Sequence, residues 1–211
     1  MNILFEDRHL IFAVKPVGVL SQSGDGENMV DLLSDGRKEI FPIHRLDKNV
    51  GGVMVFAKTK AAAGKLSAMV QNNEIKKEYL AVVCGKPEKE SDVLQDLLFK
   101  DSTKNKSFVV KRMRKGVKKA SLEYKTLGSV NNEKNTLSLL KILLHTGRTH
   151  QIRVQFSSRK LPLLGDARYG GKSPLCDIAL WSHSLTLTHP FTGEELHFEF
   201  QPPEEYPWSI F

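Results

Sequence analysis

The 211-residue chain has only two cysteines, Cys84 and Cys176, far apart and at no metal-ligand spacing, so neither a disulfide framework nor a zinc knuckle is supported. Its N-terminus, MNILFEDRHLIFAVKP, mixes acids and bases with apolar residues, unlike a signal peptide. No apolar run approaches about 18 residues, the length a membrane-spanning helix needs. Internal repeats, low-complexity segments and linkers are missing too. A cytoplasmic protein without a membrane partner is expected. Acid is in short supply: 24 Asp and Glu against 31 Lys and Arg leave +7, which favours a polyanionic partner and says nothing of fold. What is present is ordinary for a globular protein, 40% apolar and 26% charged residues, in a length that fits one domain over residues 1–211.

Strand character dominates the chain. Residues 3–5 and 10–14 predict two short strands joined by a polar turn, with Lys15-Pro16 ending the second. A short helix is expected over residues 28–33, a buried strand over 53–57, a helix over 61–70 and a strand over 79–83. Strands resume over 121–127 and 136–144, around the turn-rich VNNEKN, and the last third reads as a hairpin turning at Thr192-Gly193. Regular βα alternation is lacking, so the class is α+β with a largely antiparallel sheet.

Three stretches and one charge cluster carry candidate chemistry. In IHRLDKNVGG, residues 43–52, Asp47 follows the basic pair His44 and Arg45 and leads toward an apolar strand. An opposite charge favours the ionised form of a carboxylate, which can act as nucleophile, base or electrostatic stabiliser. On these ten residues alone the blander role, receiving loop N–H groups or pairing with an arginine, is the commoner one. HRLDKN is not a kinase catalytic loop, because Leu46 intervenes and neither a glycine-rich phosphate loop nor D-F-G accompanies it.

LLHTGRTHQIRVQF, residues 143–156, gathers His145, Arg148, Thr149, His150 and Arg153 at a strand-to-helix junction. Thr149 is expected to cap a helix starting at His150, with Ile152 and Phe156 on one face. Such a junction suits a phosphate or a buried carboxylate, the alternative being a plain cap with surface arginines. Zinc held by His145 and His150 is disfavoured by their spacing. In KKEYLAVV, Tyr79 opens a strand behind Lys76 and Lys77. Its ring either stacks on a base, worth roughly 1–3 kcal/mol, or is a half-buried strand tyrosine. Residues 100–119 carry nine basic side chains, Lys111, Arg112, Arg114 and Lys115 among them, against one acid, Asp101. This is either a solvated hairpin or, as the charge favours, a contact for RNA or DNA.

Taken in order, these stretches resemble the RluA family of RNA pseudouridine synthases. HRLD before a glycine and an apolar strand is similar to the family hallmark, and ILFEDRHLIFAVKPVGVL to its opening strands ending in K-P-x-G. KKEYLAVVCG resembles K-x-Y-x-A-x-V-x-G, KKASLEYKTL the strand after the variable loop, HTGRTHQIRVQ the T-G-R-T-H-Q-I-R segment, LLGDARYGG G-D-x-x-Y-G, and LTHPFTGEELHFEFQPP the closing hairpin. The resemblance covers residues 3–203. It implies a mixed, largely antiparallel central sheet flanked by helices, with an active-site cleft between two lobes. It implies isomerisation of uridines in rRNA or tRNA, without cofactor or metal; a monomer is expected. Asp47 then matches the catalytic aspartate, Tyr79 the ring that packs against the target base and Arg153 the arginine that pairs with the aspartate. His44, Arg45, Lys77, Arg148 and His150, with Lys111, Arg112, Arg114 and Lys115, become the expected RNA contacts. The rival reading is a catalytically silent RNA-binding protein on the same fold, against which the retained trio argues. An Asp-dependent hydrolase lacks a second carboxylate or metal site at a recognisable spacing.

The chain also departs from the pattern. Where the family has T-S-G after H-R-L-D there is Val50-Gly51-Gly52, the histidine after Q-I-R-V is Gln155, and L-H-A before the last hairpin is Leu180-Trp181-Ser182. Many relatives carry an N-terminal S4 RNA-binding domain, whereas here the catalytic-domain strands begin within three residues of the start. No S4 domain is expected, and residues 100–119 are expected to supply the added grip on RNA.

Overall fold

The computed structural model describes residues 1–34, 39–131 and 136–211, so part of the VNNEKN turn, residues 132–135, lies outside the described residues. In chain order the elements are β1 (Ile3–Glu6), β2 (Leu10–Lys15), α1 (Met29–Ser34), β3 (Phe41–Pro42), β4 (Gly51–Ala57), α2 (Lys60–Gln71), β5 (Lys76–Cys84), β6 (Ser91–Asp101), β7 (Lys106–Val110), β8 (Val117–Asn131), β9 (Thr136–Leu144), α3 (Gln151–Ser157), β10 (Leu180–Thr188) and β11 (Glu195–Glu199). The fold is α+β, with mixed but mostly antiparallel pairing and few helices, as expected. Among the described residues no helix is long and apolar enough to cross a membrane.

The chain divides into two compact units, one made of Met1–Glu78 with Trp181–Pro202, the other of Tyr79–Leu180 with Pro203–Phe211. In the first, β2 lies antiparallel between β1 and β4, in a register running from Leu10↔Ala57 to Lys15↔Gly52. Every residue of β2 and β4 is buried, which is why LIFAV and VMVFA read as unbroken apolar runs rather than alternating ones. Their core side chains Leu10, Phe12, Val53 and Val55 pack with Ala62 and Leu66 of α2 and with Leu185 and Leu187 of β10. Thr59 starts α2 by accepting the Ala62 N–H on Oγ1 at 3.1 Å, a cap that closes one of the helix's open donors. β10 pairs antiparallel with β11, and its first part meets β4 in parallel at Trp181↔Gly51 and Ser182↔Gly52.

In the second unit the strand order is β5-β9-β8-β6-β7. β8 is longer than its apolar stretch predicts because the ladder continues past an irregularity between Thr126 and Gly128. On one face of it Ala120, Leu122 and Tyr124 alternate inward, and Tyr124 meets Phe156 of α3 edge to face at 5.5 Å. Ile152 and Phe156 are both buried, as the spacing predicts, but the helix does not begin at His150 and Thr149 does not cap it. His150 has φ 53°, a left-handed conformation that no first helical residue adopts. Gln151 orders the turn instead: its Oε1 accepts the Arg148 N–H at 3.0 Å and the Thr146 hydroxyl at 2.7 Å, and its Nε2 donates to the Ser121 carbonyl at 3.0 Å. β5 likewise begins three residues earlier than expected, which places Tyr79 within the strand and buries it.

Candidate active site

Asp47 sits on the loop between β3 and β4, and the backbone on both sides of it is tied down. Leu46 is buried, its N–H donating to Ser21 Oγ at 2.9 Å and its carbonyl accepting the same hydroxyl at 2.8 Å. The Lys48 carbonyl accepts Lys15 Nζ and the Gly18 N–H, each at 2.9 Å, while the Val50 N–H donates to the Asp47 carbonyl at 3.0 Å. Lys15 has 0% exposure and also donates to the carbonyls of Pro16 and Val19, at 2.9 and 2.6 Å. Three carbonyls use all three N–H groups of an ammonium. Burial lowers the Lys15 pKa from 10.5 to about 8, and the negative charge of Asp47 pushes it back up. The cation built into this loop is therefore Lys15, while Arg45 is exposed.

His44 accepts the Val55 N–H on Nε2 over a long 3.4 Å. Burial, and then the charge of Lys77, push its pKa down to about 3, so the ring is neutral with its proton on Nδ1. Lys77 is half-buried on β5, and its pKa is lowered by burial.

Two of the departures from the family pattern meet in space. A Cβ on Gly51 would lie 2.3 Å from Cζ3 of Trp181, its partner in the β4–β10 register. The indole cannot swing away freely, since it is 5% exposed and its Nε1 donates to the Phe200 carbonyl at 2.8 Å. Gly52, at φ 118°, faces the Ser182 backbone, whose carbonyl oxygen would be 2.2 Å from a Cβ. Ser182 closes the join by donating its hydroxyl to the Val53 carbonyl at 2.9 Å. The ring of Trp181 thus occupies the room that a side chain at position 51 would take. Gln155, the third departure, donates from Nε2 to Asp96 at 2.7 Å and joins α3 to β6.

The remaining candidates lie in the second unit. Arg153, on α3, gives Nε and Nη2 to the two oxygens of Asp166 at 2.7 and 2.8 Å, and Asp166 has 0% exposure. Of the two partners open to the junction, phosphate or buried carboxylate, the carboxylate holds this edge of the guanidinium. The other junction residues do not converge on one anion site. Arg148 is exposed and donates from Nε to the Lys119 carbonyl at 3.0 Å, His145 lies 3.8 Å from Glu123, and His150 Nδ1 lies 3.0 Å from the Tyr169 hydroxyl. Lys111, Arg112, Arg114 and Lys115 occupy the exposed link between β7 and β8, with Arg114 over the Phe99 ring at 5.0 Å. His44, Arg45, Asp47 and Lys77 therefore belong to the first unit, and Tyr79, Arg148, His150, Arg153 and the basic link to the second. Among the described residues no group of three or more His, Cys, Asp or Glu is placed to hold a metal ion. Lys15, Asp166 and Tyr169 were not singled out from sequence. Their motifs, K-P-x-G and G-D-x-x-Y-G, were visible, but nothing in one sequence marks a lysine or an aspartate as buried.

The family model described as RNA pseudouridylate synthase matches residues 9–158. Ribosomal large subunit pseudouridine synthase D of Nitrosomonas europaea is 36% identical over 97% of this chain and 63% of its own. The dual-specificity RNA pseudouridine synthase RluA of Haemophilus influenzae is 31% identical over 94% of this chain and 91% of its own. The solved structure of human RNA Pseudouridylate Synthase Domain Containing 1 has the same fold, with a TM-score of 0.80 at 22% identity, over 95% of this chain and 83% of that one. The chain belongs to the RNA pseudouridylate synthase family, a family of isomerases. It spans a little under two thirds of the length of the Nitrosomonas relative.

Two outcomes check the loop. Gly51→Ser should cost about 1–3 kcal/mol in urea unfolding, the usual range for overpacking. Combined with Trp181→His, the loss should fall short of the sum of the two single losses by about 1 kcal/mol or more; strict additivity would mean the indole moves aside freely. Lys15 gives a pH signature. Its native pKa of about 8 lies below the 10.5 of the unfolded chain, so between those values the unfolded state binds more protons and the lysine adds stability as pH rises. The wild-type advantage over Lys15→Met, measured by urea unfolding, should grow from pH 8 to 10.5 and shrink as pH falls back through 8.

Proposed function

We propose that this protein converts uridine to pseudouridine in rRNA or tRNA, with Asp47 as the acting carboxylate, Tyr79 as the ring that packs against the target base and Arg153 as the arginine that serves Asp47. The observation that carries the reading is the family match, which spans all three residues, supported by the tethering of Leu46 and Lys48 on either side of Asp47. In the reaction the glycosidic bond from C1′ to N1 breaks, a bond from C1′ to C5 forms, and the hydrogen on C5 is exchanged for one on N1. Asp47 acts either as nucleophile at C1′ or as base at C2′, giving a glycal. Neither route calls for a metal or a cofactor.

The base must leave its stack before the sugar is reachable, at a cost of a few kcal/mol. Contacts from Arg45, Lys77, Arg148, His44 and His150 offset that cost, and the exposed cations at 111, 112, 114 and 115 supply electrostatic attraction to phosphate. The name of the Nitrosomonas relative favours large-subunit rRNA over tRNA as the first substrate to assay.

Pseudouridines mapped in rRNA and tRNA from cells with and without this protein test the reading. At least one site should disappear, and Asp47→Asn should fail to restore it, with turnover in vitro reduced by about 10²–10⁴-fold or more. A strain without the protein that keeps every pseudouridine would overturn it. Neutralising Lys111, Arg112, Arg114 and Lys115 together should raise KM and spare kcat. The slope of log KM against log salt should flatten by about 0.7–0.9 for each phosphate that the protein no longer neutralises, and an unchanged slope would remove these residues from the RNA surface.

A further inference from the structure

The segment LLGDARYGG belongs to the family pattern, yet the reaction as proposed uses neither Asp166 nor Tyr169. Asp166 does more than neutralise Arg153. Its Oδ1 also accepts the N–H groups of Arg168 and Tyr169, at 3.1 and 3.2 Å, so the carboxylate is fixed by the turn it sits on. A bidentate partner that cannot rotate fixes the plane of the guanidinium.

Tyr169, 6% exposed, touches that pair and the β6–β7 hairpin, the basic hairpin whose β7 strand leads into the link at 111–115. Its ring lies 5.1 Å from Cζ of Arg153 and 4.9 Å from Nζ of Lys106. Its hydroxyl accepts the Ser107 N–H at 2.8 Å and lies 3.0 Å from Nδ1 of His150, and its carbonyl accepts the Ser157 hydroxyl at 2.6 Å. Burial raises the Tyr169 pKa, which keeps the phenol protonated. On the hairpin side Ser107 is 2% exposed and donates its hydroxyl to the Thr149 carbonyl at 2.7 Å, while Arg168 donates to the Asn105 carbonyl at 2.6 Å. The hairpin is thereby pinned at Asn105 and Ser107 to the same short turn that holds Arg153.

We propose that Asp166 and Tyr169 are positioning residues of the isomerisation: Asp166 sets the Arg153 guanidinium, and the Tyr169 hydroxyl locks that pair to the Ser107 strand of the basic hairpin. RNA seated on the hairpin and the arginine are then held in one frame. The inference rests on the pseudouridine synthase reading and on Arg153 serving that reaction. A merely structural role for the same contacts would change stability and leave turnover of the folded protein alone.

The test uses the full chain and bulk rRNA and tRNA labelled with tritium at uridine C5, isolated from cells lacking this protein, with tritium release as the readout. Tyr169→Phe keeps the ring and its cation contacts and removes one oxygen. Its kcat should drop about tenfold, the scale of one missing positioning hydrogen bond, with KM within about twofold and the folded fraction at assay temperature unchanged. In the cycle with Arg153→Lys, the double variant should be no slower than Arg153→Lys alone within about twofold, because the hydroxyl acts through that arginine. Wild-type kcat in Tyr169→Phe overturns the inference and leaves the synthase reading standing, and so does a double variant in which the two losses multiply. Should Asp166→Asn fail to fold, Tyr169→Phe still decides. A wild-type protein that releases no tritium from any of these RNAs overturns the synthase reading and the inference with it.

Discussion

A buried ammonium must satisfy three N–H groups at once, and Lys15 does so only because three carbonyls, from Pro16, Val19 and Lys48, arrive together. Two come from the turn after β2 and the third from the residue following Asp47. The condition that keeps the lysine charged is thus the condition that brings the Asp47 loop against the end of β2. Ser21 repeats the device without charge, binding both polar backbone groups of Leu46 with one hydroxyl. An unmet donor or acceptor in such a place costs about 1–3 kcal/mol, so Lys15 and Ser21 fix the backbone at Lys48 and Leu46. Asp47 inherits that order and needs no strained conformation of its own.

The contact between β4 and β10 follows the same logic with packing in place of hydrogen bonds. A side chain at position 51 would have to fit beside the indole of Trp181. Here the glycine leaves that room, and the indole of Trp181 fills the volume from the neighbouring strand, held by its bond to Phe200. Interiors are packed closely enough that a ring and a Cβ cannot share that volume. Gly51 and Trp181 are therefore sterically linked.

How much of this could be read beforehand depended on whether a signal was local. Continuous apolar runs such as LIFAV and VMVFA announced buried strands, and Gly193, at φ 78°, marked the final turn. Helix α3 was placed to within one residue, but its start was assigned to a threonine cap because Thr, not Gln, is the usual signal. The bonds of Gln151 to residues 121, 146 and 148 come from β8 and the turn, and no local pattern carries them. The same holds for Arg153, whose partner Asp166 is 13 residues away, and for Lys15, whose third carbonyl is 33 residues away. Tyr79 was noticed, but the strand already runs through Lys76, Lys77 and Glu78, charged residues that carry no apolar signal for its start.

The net charge of +7 suggested a polyanion, yet counting basic residues merges two populations that act differently. Lys15 is enclosed with its three donors met by carbonyls, and Arg153 is held along one edge by the buried carboxylate of Asp166, so both charges are largely compensated where they sit. Lys111, Arg112, Arg114 and Lys115 are exposed on a loop, where attraction to phosphate is screened within about 8 Å at physiological salt. Salt weakens the second population and barely touches the first, because buried pairs are screened much less. The enclosed cations therefore keep their neighbours in place over a salt range that removes the long-range pull of the exposed ones.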